Sequence, residues 1–159
     1  LAKLPDARLA LVGAGEDEAA LKAHARNLGL VDRVHFLGLV THDALPQVLC
    51  AADVVVLPSA SEGLANVWVE AIACGTPIVI PDIGGAREIV RSPTAGRLAA
   101  RDPQAIAAAV ADILANPPTQ EQVAAHAAQF SWGMNAENLA GFWQDVLAGK
   151  MGNKTGTAA

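Results

Sequence analysis

Two acids and the small residues around them carry the chemistry of this chain. Glu62 and Glu70 are separated by seven residues, Gly63-Leu64-Ala65-Asn66-Val67-Trp68-Val69. Carboxylates are acceptors and suit hydroxyl groups. Two of them side by side would repel a phosphate. Glu70 therefore fits a ribose diol, and Glu62 fits the hydroxyls of a sugar. The free backbone N–H groups near Gly63 to Val67 suit a diphosphate, aided by the dipole of a helix that starts there. Gly63 lets a ligand approach the backbone. Asn66 offers either a ligand contact or a local cap.

The elements that must position these groups follow from the flanks. Val54 to Leu57 is an apolar run and reads as a strand. Pro58-Ser59-Ala60-Ser61 continues it as a loop of small residues. A helix is expected from about Ala65 to Cys74, with Gly75 as its C-terminal cap and Pro77 preventing continuation. Glu70 stands four residues beyond Asn66, roughly 6 Å further along the helix axis. With Val67, Val69, Ala71 and Ile72 beside it, Glu70 is either on the wet face or buried with a partner.

Ser59, Glu62-Gly63-Leu64, Asn66, Glu70-Ala71 and Gly75-Thr76-Pro77 resemble the signature of the retaining, nucleotide-sugar-dependent glycosyltransferases of the GT-B fold, the group 1 or family-four class. Leu11-Val12-Gly13-Ala14-Gly15, His35-Phe36-Leu37-Gly38, Ala52-Asp53-Val54, Gly84 to Val90 and Phe130-Ser131-Trp132 match the same family in the same order. The resemblance covers the chain from about Pro5 to Leu147. It implies a nucleotide-diphosphate sugar as donor, transfer with retention at the anomeric carbon, and no metal ion or other cofactor. It makes Glu62 the catalytic residue, one that positions the donor sugar and supports developing charge. Gly63, Leu64, Ala65, Asn66, Val67 and Glu70 become donor-binding residues. It places Leu39 and Val40 beside the nucleobase.

The same resemblance implies that the chain is the donor half of a larger enzyme. An N-terminal acceptor domain would be its partner. A segment supplying an Arg and a Lys to the diphosphate, with the first strand of this domain, would lie before Leu1. No Lys or Arg occurs between Arg33 and Arg87. Cationic compensation of a leaving diphosphate is commonly the largest catalytic term, so residues 1–159 alone are expected not to turn over and to bind nucleotide weakly. Arg87 is a candidate substitute, or else a salt-bridged surface residue. The alternatives are a non-catalytic sugar-nucleotide-binding module and an epimerase of related fold. A phosphorylase would need a cofactor-binding Lys, and none occurs between Lys22 and Lys150.

The remaining chain reads as alternating strands and helices. Ala7 to Val12 is expected as a buried strand ending at Gly13-Ala14-Gly15. Gly13 and Gly15 follow it as a tight turn or a ligand contact, with Glu18 where a dinucleotide fingerprint has its third glycine. Glu16 to Leu28 is a helix with Leu21, Ala25 and Leu28 on one stripe. Val34 to Leu37 is a strand. Thr41 is expected to cap a helix carrying Leu45, Val48, Leu49 and Ala52. Ile78 to Ile80 and Gly96 to Leu98 are strands, with a helix beginning at Gly85. Asp102 and Pro103 open a helix whose core face is Ile106, Ala109, Val110, Ile113 and Leu114. Thr119 and Gln122 form a capping box. A last helix after Ser131 places Leu139, Phe142, Trp143, Val146 and Leu147 on one side.

This alternation predicts an α/β fold: a Rossmann-like parallel sheet with helices on both faces. Ligands bind such sheets at the carboxyl ends of strands. Residues 1–148 are expected as one domain and 149–159 as a disordered tail. A net charge of −5 disfavours a nucleic-acid surface. No apolar run is long enough to span a membrane. A cytoplasmic location is expected, with membrane contact at the inner face through the rest of the parent protein. The exposed sheet or the last helix could carry an oligomer contact. Cys50 and Cys74 read as isolated, small buried residues in a reducing compartment. His35 and His42 read as structural or solvated.

Overall fold

The computed structural model describes residues 1–150. Strands and helices alternate from β1 (Leu9–Val12), α1 (Glu18–Asn27) and β2 (Val34–Gly38) to α2 (Leu45–Ala51) and β3 (Val55–Val56). Then come α3 (Asn66–Ala73), β4 (Ile78–Ile80), α4 (Ala86–Ile89), β5 (Gly96–Leu98), α5 (Pro103–Ala115), α6 (Gln120–Ala124) and α7 (Trp132–Leu147). Every strand pairing is parallel.

The strands form two sheets, β1-β2 and β3-β4-β5. A doubly wound order of 3-2-1-4-5-6 puts one strand between the two that are β1 and β3 here. Among the described residues no pairing joins β1 to β3. The larger sheet is covered on both faces. Ile78 and Ile80 point into a cluster with Leu49, Trp68, Ile72, Ile89 and Val123. Val79, between them, points the other way onto Val110 and Ile113 of α5. This is the strict alternation of a pleated strand, and it explains why β4 is apolar throughout.

The smaller sheet corrects two expectations. β1 is not buried: Leu9 is 36% and Val12 45% exposed. Of the α1 stripe only Ala25 is buried, while Leu21 and Leu28 are about half exposed. These residues have the right period for a core. Their exposure follows from β1 having a single neighbour, β2, among the described residues. Arg33 ties this unit together at its base. Its Nη1 donates to the carbonyls of Leu4 at 2.7 Å and Pro5 at 2.9 Å.

Helix ends follow local chemistry closely. After α3, Gly75 N–H bonds the Ile72 carbonyl and Thr76 N–H bonds the Ala71 carbonyl, both at 2.9 Å. Gly75 has φ +80°. This is a Schellman cap, whose left-handed residue only glycine adopts cheaply. Asp102 accepts from the amides of Gln104 and Ala105, and Thr119 with Gln122 closes a reciprocal capping box. Thr41 departs from expectation. It accepts the amides of Ala44 and Leu45 through its backbone carbonyl, and no side chain caps α2. The core face of α5 is the expected one at Ile106, Ala109, Val110 and Ile113, with Ala107 added, while Leu114 is 38% exposed and lies outside it.

α7 begins at Ser131, whose hydroxyl accepts from Met134 N–H. Its apolar side is uncovered: Leu139 and Trp143 are each 55% exposed. Phe142 and Trp143 meet edge to face with ring centroids 5.7 Å apart. Gly149 and Lys150 complete the helix's C-terminal cap, with Lys150 N–H on the Asp145 carbonyl. The rest of the predicted tail, 151–159, lies outside the described residues. No helix among the described residues is long and apolar enough to cross a membrane.

Candidate functional site: a helix entrance between two acids

The loop from Pro58 to Ala65 leaves the carboxyl end of β3 and delivers the chain to α3. Two later loops hold it. Gly85 N–H donates to the Gly63 carbonyl at 2.7 Å. Gly84, at φ +49°, lies so close that a Cβ there would stand 2.1 Å from the Glu62 carbonyl oxygen and 2.3 Å from that of Gly63. Arg101, just beyond β5, donates from Nε to the Pro58 carbonyl at 2.9 Å. The loops after β3, β4 and β5 thus meet at one edge of the sheet.

α3 starts at this edge without a side-chain cap. Ala65 takes the N-cap position in extended backbone, and no side chain bonds the first turn. Asn66 is exposed and does not serve as the local cap. The amides of Asn66 and Val67 fall in the first turn, where a helix offers no internal partner. Trp68 N–H bonds the Ala65 carbonyl at 3.0 Å.

The face of α3 toward the core is Trp68, Ala71 and Ile72, all fully buried. Spacing of four then puts Asn66, Glu70 and Cys74 on another stripe. Glu62 and Glu70 are each half-buried. Neither belongs to an ion pair among the described residues. Of the two readings open for Glu70, a wet face and a buried pair, the structure gives a partly wet carboxylate with no cationic partner.

Gly13, Gly15, Leu39 and Val40 are not part of this cluster. They lie at the carboxyl ends of β1 and β2, on the other sheet. Gly13 has φ +123° and its N–H bonds the Gly38 carbonyl at 2.8 Å. A Cβ at Gly13 or Gly15 would meet nothing within 4 Å, so this turn presents open backbone. Leu39 is 83% exposed and Val40 is half-buried.

Arg87 is committed elsewhere. Its guanidinium grips the Asp82 carboxylate with Nε at 2.8 and 3.1 Å from the two oxygens. That hydrogen bonding holds the Asp82 carboxyl below its ordinary range. Two features escaped sequence reasoning. Arg101 was legible as the first charge after β5, by the same rule that singled out the other strand ends. The second is the pair Cys50 and Cys74, read as isolated and buried. Cys50 is exposed, and the Cys74 sulfur lies 3.8 Å from the Pro46 carbonyl, one helical turn before Cys50. Nothing in their spacing announces a contact made by packing α2 on α3.

The parallel α/β sheet thus carries at its carboxyl edge a helix entrance without a side-chain cap, with Glu62 and Glu70 on either side of it. The sequence pattern of the glycosyl transferases group 1 matches residues 1–130. The chain belongs to that family. It is 46% identical over 118 residues to a D-inositol 3-phosphate glycosyltransferase of Mycolicibacterium vanbaalenii, covering 72% of this chain and 26% of that protein. It is 37% identical over 124 residues to a 2-deoxystreptamine N-acetyl-D-glucosaminyltransferase of Streptomyces fradiae, covering 77% of this chain and 30% of that one. The chain thus spans about a third or less of the curated relatives it matches.

Solved structures agree. Sucrose-phosphate synthase from Thermosynechococcus elongatus superposes with a TM-score of 0.78 at 30% identity, covering 93% of this chain and 40% of that one. The Anabaena protein HepE, in complex with UDP-glucose, superposes with a TM-score of 0.63 at 32% identity over 79% of this chain and 37% of that one.

Proposed function

We propose that this domain binds the nucleotide-diphosphate sugar donor of a retaining glycosyltransferase. The observation that carries the proposal is the uncapped entrance of α3, flanked by Glu62 and Glu70 and lacking an ion-pair partner for either. In this reading the amides of Gly63 to Val67 receive the diphosphate, with the helix dipole behind them. Glu70, a turn deeper, accepts from the ribose diol. Glu62, in the loop, accepts from hydroxyls of the sugar and supports positive charge developing at the anomeric carbon. The exposed backbone of Gly13 and Gly15 and the apolar Leu39 and Val40 complete the site on the base side when the two sheets share one ligand. Transfer by way of a leaving diphosphate needs positive charge beside it. Among the described residues Arg101 is the cation that touches the loop itself, and it does so at Pro58.

The acceptor domain, the cations that stabilise the leaving group, a cytoplasmic location with contact at the inner membrane face, and transfer without a metal ion belong to the same reading. So does the expectation that residues 1–159 alone bind without turning over. HepE, similar to this chain at 32% identity, is recorded with UDP-glucose, which supports a donor of that chemical class here.

Calorimetric titration with UDP tests the binding half of the proposal. Glu70→Gln removes the charge and keeps the shape. Hydrogen bonds to a charged group contribute about 1.5–3 kcal/mol, so the variant is expected to bind roughly 10- to 100-fold more weakly. Equal affinity in the two proteins would remove Glu70 from the site.

A further inference from the structure

The two cysteines of the chain lie on neighbouring helices. Cys50 lies in α2 and Cys74 is the C-cap residue of α3. The Cys74 sulfur sits 3.8 Å from the Pro46 carbonyl, on the helical turn of α2 that leads to Cys50. The backbone on both sides is tied down. Thr76 Oγ1 donates to the Leu49 carbonyl at 2.6 Å in a buried position. Gln120 Nε2 donates to the Cys50 carbonyl at 3.2 Å. Gly75 packs so closely on Gln120 that a Cβ would fall 2.7 Å from its Cβ. The segments carrying the two sulfurs are therefore held in register by bonds to their immediate neighbours.

We infer that Cys50 and Cys74 are a reversible thiol–disulfide pair, closed by exchange with a small-molecule disulfide of the glutathione class. The two thiols differ in the way such exchange requires. Cys50 is exposed and meets the reagent. Burial pushes the Cys74 thiol up to about 11, and the neighbouring Cys50 thiol and the Glu70 charge add to the rise. Cys74 is thus a poor first nucleophile and a well-placed second one.

The exchange balances in two steps. The Cys50 thiolate attacks one sulfur of the small disulfide. That S–S bond breaks, one small thiolate leaves and takes up a proton, and a mixed disulfide remains on Cys50. Cys74 then gives its proton to solvent base and attacks the Cys50 sulfur. The protein disulfide forms as the second small thiolate leaves and is protonated. Two protein thiols are oxidised, and one small disulfide is reduced to two thiols. The second step accelerates as pH rises, because more of Cys74 is thiolate.

The bond would join α2 to the end of α3, one turn beyond Glu70. It closes a short loop of chain, so the oxidised protein is expected to melt about 5–10 °C higher than the reduced one.

The test equilibrates the 159-residue protein in buffers of oxidised and reduced glutathione, with mass spectrometry of the intact chain and of its non-reduced peptides. The wild type should lose two hydrogens, yield a Cys50–Cys74 cross-linked peptide, and revert under excess reduced glutathione. Cys74→Ser should stop at a glutathione adduct on Cys50. Cys50→Ser should stay largely unmodified. The peptide map of the wild type alone carries the test if either variant fails to fold. Three outcomes would overturn the proposal. One is a wild type that holds glutathione on Cys50 with Cys74 free. Another is a chain left fully reduced where Cys74→Ser is modified. The last is a disulfide between two copies of the chain.

Discussion

Gly84→Ala is expected to disable the candidate site and destabilise the domain together. The residue has φ +49°, where glycine alone is at ease, and its missing side chain faces backbone. A Cβ at 2.1 Å from the Glu62 carbonyl and 2.3 Å from the Gly63 carbonyl has no flexible neighbour to displace. Either the 84–85 loop or the 62–63 loop must move. Movement breaks the bond of Gly85 N–H to the Gly63 carbonyl, which at 2.7 Å is the direct tie between the loops. Left-handed strain and overpacking together amount to about 2–4 kcal/mol. That is a large share of a domain's usual margin. Thermal unfolding should show the loss, and nucleotide titration of whatever remains folded should show weakened binding. Gly63→Ala is the informative control, because a Cβ at Gly63 meets nothing within 4 Å. It should leave stability nearly unchanged. Equal melting temperatures for Gly84→Ala and wild type would show that the two loops are not coupled.

Glu62→Gln carries the largest expected effect on catalysis. The substitution keeps the size of the side chain and one acceptor oxygen, and it removes only the negative charge. If Glu62 supports positive charge that develops at the anomeric carbon, its contribution is greater in the transition state than in the bound donor. A loss of roughly 100-fold or more in kcat is then expected, by comparison with removal of a single electrostatic stabiliser elsewhere. Donor affinity should change much less. The measurement is steady-state sugar transfer by a protein that joins this domain to the proposed acceptor domain, with kcat and KM separated. A variant whose KM rises while kcat holds would make Glu62 a binding group and no more.

The parts of this fold that were legible are those set by short-range chemistry. Gly75 announces the end of α3 because the position needs positive φ. Asp102-Pro103 and Thr119–Gln122 announce helix starts because their side chains answer free amides. β4 and β5 stand where short runs between loop residues put them. The parts that misled depend on neighbours distant in sequence. Leu9, Val12, Leu21 and Leu28 have core periodicity, yet among the described residues β1 pairs with β2 alone and they remain open. Thr41 has the residue type of a cap, but the chain turns earlier and uses its carbonyl.

The site divides in the same way. Glu62, Gly63, Asn66 and Glu70 lie on one continuous segment, so their spacing alone brought them together. Whether Gly13, Gly15, Leu39 and Val40 face the same ligand depends on how the two sheets align, which no local pattern encodes. Arg101 reaches Pro58 across 43 residues. Cys74 reaches the turn of α2 that leads to Cys50 because α2 packs on α3. Both contacts come from the tertiary arrangement of elements that were individually legible.

The central claim is that a nucleoside diphosphate rests on the entrance of α3 between the two acids. Amide NMR of the 159-residue protein titrated with UDP tests it most directly. The account predicts that the amides of Gly63 to Val67 shift most, with Glu70 and its neighbours following and saturating at the same concentration. Saturable shifts confined to other loops, with Gly63 to Val67 unmoved, would contradict it.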